Sequence, residues 1–206
     1  LKPEALVEAA YLTEKMLAKR PFIAEELGKQ RIHTAIMAES EQTTDVPEHS
    51  KLNEQFPETD WNKRARGLGP GPASMITSAA EENLLRYKTD RYKGESIFIH
   101  EFAHAIMDYG IPPLDKEFLG NVEKAYQNAK KKGLWKGLYA GENKHEYWAE
   151  GVQSYFDANR ESIPSNGVHN HVNTPEELEE YDPELYAIIR RYLGATTYRW
   201  AKDKRY

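Results

Sequence analysis

Cysteine is missing from all 206 residues. Its absence excludes disulfide staples, thiolate zinc sites and cysteine nucleophiles together, while fitting either redox environment. Long apolar runs are missing too: no stretch approaches the ~18 residues of a membrane span. Positive charge is in deficit, with 28 Lys and Arg against 33 Asp and Glu and a net charge of −5. That balance argues against nucleic acid as a partner, since such domains carry a basic footprint. The opening residues, LKPEALVEAAYL, lack the basic start and extended apolar core of a signal peptide. The compartment stays open, with a secreted or extracytoplasmic one slightly favoured. No internal repeat or low-complexity tract divides the chain, so one domain over 1–206 is expected, long enough to bury a real core.

What is present reads as strands early and helices later, an α+β chain. In residues 3–19, Leu6, Ala9, Ala10, Leu12, Met16 and Leu17 recur at helical intervals behind Pro3, which suits a first turn. RIHTAIMAE, 31–39, is short and partly β-branched and reads as a strand. Residues 41–71, rich in Pro, Gly, Asn and acids, read as loop with short ordered pieces. PASMITSAAEENLLRY, 72–87, reads as an edge strand running into a helix. Helices are expected over 94–110, closed by Gly110 and Pro112, and over 114–132, with Leu114, Phe118, Val122 and Ala125 on one side. Another is expected over 143–158, where Tyr147, Trp148, Val152, Tyr155 and Phe156 offer apolar surface. Thr174 opens a capped start with proline in the first helical position, and Asp182-Pro183 breaks the stretch 174–194 into two helices.

The segment GESIFIHEFAHAIMDYG, 94–110, poses a chemical problem. A mostly apolar helix carries two histidines and a glutamate in its middle, and burying such groups without partners is costly. Residues four apart on a helix differ by about 40° in direction, so His100 and His104 project from one face. So placed, two neutral imidazoles can grip one zinc ion. Glu101 is turned about 100° from His100, near the metal but offset from it. There its carboxylate can take a proton from water instead of coordinating. The bland alternative is a pair of core histidines satisfied locally; the amphipathic helical setting favours the metal.

A catalytic zinc takes three protein ligands and keeps one position open, so a third ligand is expected on another element. His33, His49, His145, His169 and His171 are candidates, alongside many acids. In HEYWAEGVQSYF, Glu146 and Glu150 share a helix face at i and i+4. One can ligate while the other accepts the free N–H of a liganding histidine. As solvated surface acids they would do neither, and the spacing alone leaves the choice open.

HEFAHAIMDY followed by YAGENKHEYWAEGVQSYF resembles the catalytic domain of anthrax lethal factor and its relatives, zinc metallopeptidases of the gluzincin group. The HEFAH helix is also similar to that of the Mlc titration factor aminopeptidases. The likeness covers about 94–158. It implies a zincin-like fold: a small N-terminal sheet, a zinc-binding helix and a mostly helical C-terminal part. It further implies one Zn2+ held by His100, His104 and Glu146, with Glu101 as general base and Glu150 orienting His100. Tyr139, seven residues before Glu146, would hydrogen-bond the oxyanion. The partner implied is a peptide or protein substrate. In related zincins an edge strand above the zinc helix pairs with the extended substrate, and GPASMITSA, 71–79, is the candidate here.

Three other features have plainer readings. HNH at 169–171 could take a second metal, but adjacent loop histidines more often face solvent or support a neighbouring site. His49 is expected to make a local hydrogen bond in its turn, and the acids of 176–184 complement a helix dipole. Two other function classes share the motif. One is a non-catalytic zincin-like binding module of a larger protein, which has no use for a base beside its ligands. The other is a zinc hydrolase of a non-peptide amide.

Overall fold

Proline presets the first turns of α1 (Pro3–Leu17) and α2 (Pro21–Lys29). The structure is a computed structural model, and it describes residues 1–71 and 74–206. Along α1, Ala5, Glu8, Ala9, Leu12, Met16 and Leu17 face inward. Leu6 and Ala10, expected inside from their spacing, lie on the outer side. The buried stripe admits Glu8 instead, because Arg205 meets its carboxylate at 2.6 Å.

The described residues form a three-stranded sheet: β1 (His33–Met37), β2 (Gly67–Leu68) and β3 (Ile76–Ala80), in the order β1-β3-β2. β1 runs parallel to β3 from His33↔Ile76 to Met37↔Ala80. β2 is antiparallel, through Gly67↔Ala79 and Leu68↔Ser78. The strand expected at the edge within 72–87 is therefore the central one, and all five of its residues are buried. The edge beside the HEFAH segment belongs to β2, which corrects the assignment of an edge strand for substrate to 71–79. Pro72 and Ala73 of that stretch lie outside the described residues. Between β1 and β2 the chain makes short 3-10 turns and the one-turn helices α3 (Leu52–Gln55) and α4 (Trp61–Arg64). The one-turn helix α5 (Glu81–Leu84) follows β3.

α6 (Ile97–Ala105) starts where Ser96 accepts the Ile99 N–H at 3.3 Å and Asn83 accepts the Ile97 N–H at 2.8 Å. It is shorter than the 94–110 span expected, because it passes at Ile106 into a π turn, Ile106–Gly110. α7 (Phe118–Lys131) buries Phe118, Val122 and Ala125. Leu114, expected on that stripe, precedes the helix and is exposed. α8 (Lys144–Tyr155) is capped by Asn143, whose Oδ1 accepts the N–H groups of His145 and Glu146 at 2.9 and 3.0 Å.

α9 (Pro175–Tyr181) opens on a reciprocal cap between Thr174 and Glu177, and α10 (Pro183–Leu193) follows the Asp182-Pro183 break. One contiguous apolar cluster runs from Ala5 on α1 to Trp200 near the C-terminus. At its centre the fully buried Trp148 donates Nε1–H to the Ala103 carbonyl at 2.9 Å and pins α8 against α6. The class is α+β and mostly helical. Among the described residues, no helix is long and apolar enough to cross a membrane.

Candidate metal centre

The pinned contact of α6 with α8 brings three ligand atoms together. His100 Nε2 lies 3.2 Å from His104 Nε2 and 3.0 Å from Glu146 Oε2; His104 Nε2 lies 3.5 Å from that same oxygen. Two atoms bound at ~2.0–2.1 Å to one tetrahedral zinc stand about 3.3 Å apart. All three separations sit close to that value. His100, Glu101 and His104 likewise offer ligand atoms that all lie within 4.8 Å of one another.

The lone pairs at that triangle can be traced. His100 Nδ1 faces Gln153 Oε1 at 2.7 Å, while Gln153 Nε2 donates to the Ser96 carbonyl at 3.2 Å. The amide is thereby oriented with its oxygen towards the ring, so Nδ1 carries the hydrogen and Nε2 turns its lone pair to the triangle. There it meets a carboxylate oxygen and a second ring nitrogen. Such a convergence needs a cation or a proton at its centre, and two imidazoles with one carboxylate suit zinc.

The charges agree. Burial pulls the His100 pKa down, but the Glu146 and Glu150 carboxylates outweigh it and hold the ring well above its ordinary value. Burial likewise favours the neutral form of Glu146, yet the two imidazoles win and keep it well below the usual carboxylate range. Glu101 goes the other way: burial raises it, and the nearby imidazoles and the Gly69 N–H only partly oppose that. Of two carboxylates beside one histidine pair, one is thus favoured as the anion and the other has its proton affinity raised.

Glu150, expected to orient His100, has Oε1 3.5 Å from Nδ1. The closer partner is Gln153, which carries no motif to single it out in the sequence. It sits seven residues beyond Glu146, so the face carrying Glu146 and Glu150 continues through it. Glu150 is held instead by Asn159 Nδ2 at 3.0 Å and faces His169 Nδ1 at 3.7 Å. Burial works against its charge, but His100 and His169 lower it to about 2. His169 in turn faces Glu95 at 3.5 Å; burial lowers its pKa, and Glu150 and Glu95 overcome this and raise it to about 9.

Tyr139 begins a 3-10 turn, and its ring lies 6.0 Å from that of His100, 24° from parallel. Burial, then the Glu146 charge, pushes its phenol far above its ordinary pKa, against the pull of Arg64. It stays protonated and able to donate.

None of the other histidines joins the pair. His145 faces Asp108 at 3.4 Å, and His33 is exposed beside Glu48. His49 is buried and bonds Ser78 Oγ at 2.8 Å, a long-range contact that replaces the local one expected. His171 packs against Tyr181, so 169–171 does not act as a unit.

Across the α6 face runs β2. A Cβ at Gly67 would stand 2.5 Å from Ile97 Cγ2, and one at Gly69 would stand 2.9 Å from His104 Cβ. Glycine permits this approach, so the strand roofs the histidines and a cleft of about 650 Å3 opens beside them. No protein-family model, no curated protein and no solved structure matches the chain.

Proposed function

We propose that this chain is a zinc-dependent peptidase with a zincin-like fold, in line with its resemblance to the lethal-factor-like gluzincins. The observation that carries the reading is the triangle of His100, His104 and Glu146 ligand atoms, 3.0–3.5 Å on a side, with the Glu101 carboxylate beside it. His100, His104 and Glu146 would hold the ion. When bound there, zinc supplies Lewis-acid polarisation of a carbonyl and lowers the pKa of water towards neutrality.

The chain's own residues do the rest. Gln153 fixes the His100 ring, and Glu150 adds negative charge behind it. Glu101, its proton affinity raised by burial, takes a proton from the water that attacks the peptide carbonyl. It then returns that proton to the departing amine, so one carboxyl group serves as base and acid. Tyr139 donates its phenolic hydrogen to the oxyanion that develops on the carbonyl. An extended substrate would add along the edge strand β2, in place of 71–79.

The test joins metal content to turnover. Wild type and Glu101→Gln should each hold one zinc per chain by plasma mass spectrometry after dialysis. Only wild type should cut a broad peptide library, with the variant lower by about 10²–10⁴-fold. Zinc without cleavage would favour the binding-module alternative, and cleavage by Glu101→Gln would remove the assigned base.

A further inference from the structure

We infer that the cleft selects substrates bearing a carboxylate within about three residues of the scissile bond, and that Arg64, Arg91 and Arg160 recognise it. The inference rests on the peptidase reading above and names its substrate class. The carboxylate can come from an acidic side chain or from a free C-terminus.

The argument is one of charge balance inside the cleft. Glu146 lies against His100 and His104, Glu150 and Glu95 against His169, and Asp108 against His145. Glu101 sits beside both metal-site imidazoles. Every acid lining the cleft thus has a basic neighbour. Among the arginines there, Arg66 is bonded to Glu82 at 2.7 Å. Arg64, Arg91 and Arg160 line the same cleft, and among the described residues none of them pairs with a carboxylate. Acids outnumber bases in this chain, 33 to 28. Three exposed arginines without a carboxylate partner therefore face the side of the cleft where a substrate must lie.

That wall is tied together. Arg91 donates to the Lys63 carbonyl at 2.8 Å, with its guanidinium 5.0 Å from the Tyr92 ring centre. The Tyr92 hydroxyl donates to the Arg64 carbonyl at 3.1 Å, and the Arg64 guanidinium lies 5.5 Å from the Trp61 ring centre. Rings beside the Arg64 and Arg91 guanidinium groups limit their rotation, and a planar fork of N–H donors has edges left over that match a carboxylate.

Arg64 shares its cleft with Tyr139, whose ring stacks beside that of His100. Along the chain Arg64 precedes Gly67 by three residues, at most about 10 Å even if fully extended. Gly67 is where β2 touches the metal helix. A carboxylate gripped by Arg64 therefore belongs to a residue near the bond that is cut.

Matched fluorogenic peptides test this, with Glu or Gln at each of three positions on either side of the cleaved bond, each made as free acid and as C-terminal amide. The best carboxylate-bearing peptide should exceed its neutral twin in kcat/KM by about tenfold or more. The ratio should collapse to within about twofold in the triple variant Arg64→Gln/Arg91→Gln/Arg160→Gln, whose fold is checked by circular dichroism. It should persist in Lys93→Gln, an exposed cation outside the cleft. A preference that follows internal Glu assigns the side chain, and one that follows the free acid assigns the terminus. Cleavage with no preference overturns the inference and leaves the peptidase reading standing. If no peptide is cut, that reading falls, and anisotropy binding of the same peptides to Glu101→Gln decides the inference: equal affinities of the twins overturn it, and a carboxylate preference lost in the arginine variant supports it.

Discussion

At the scale of single residues, what matters is which ring nitrogen carries the hydrogen. His100, Glu101 and His104 were legible in the sequence because their geometry is local to one helix, and spacing alone sets their directions. Gln153 was not, since an amide carries no motif and its role depends on how α8 is laid across α6. Its bond to His100 at 2.7 Å is nevertheless the shortest that ring makes. Replacing Gln153 with Leu leaves a buried N–H facing an apolar group and frees the tautomer. Zinc affinity should fall about 10–100-fold by competition with a chromophoric chelator, with the far-ultraviolet spectrum kept. Unchanged affinity would move the orienting role to Glu150.

Elements were legible where their signals are strong: caps, proline-led turns and helical periodicity placed α1, α8, α9 and α10. The error at 72–87 has a physical source. β2 is two residues long and begins with glycine, so it shows no alternation, and without it β3 looks like an edge. Yet the lack of side chain that hides β2 is what brings it onto α6. Gly69→Ala, just past β2, would put a methyl group 2.9 Å from His104 Cβ, so the backbone leaving the strand or the ring must shift. Such overpacking costs about 1–3 kcal/mol, which should appear as a lower Tm together with weaker zinc binding. Gly71→Ala, where nothing lies within 4 Å, is the control and should change neither. Equal behaviour of the two variants would mean that β2 sits less tightly than its backbone indicates.

For the whole molecule, the α+β order of elements could be read from the sequence, whereas the buried polar chain Glu95–His169–Glu150 could not, because its members come from three distant segments. This chain sets a pH dependence of stability. His169 is raised from 6.5 to about 9, so its stabilising contribution is complete below its unfolded value and is lost as pH rises through 9. In chelated protein, urea unfolding of wild type and His169→Gln should differ by about 1–3 kcal/mol near pH 6.5, converging towards pH 10. A difference that does not change with pH would assign His169 a packing role instead.

The layout of the ligands has a mechanical side as well. His104 and Glu146 are joined by a long excursion of chain that holds the π turn, α7 and the Tyr139 turn. An ion gripped at both ends would fasten that excursion like a buckle. Loss of the ion would free the excursion's two ends to separate, so on the proposed reading metal supply would govern how long the chain survives attack by proteases.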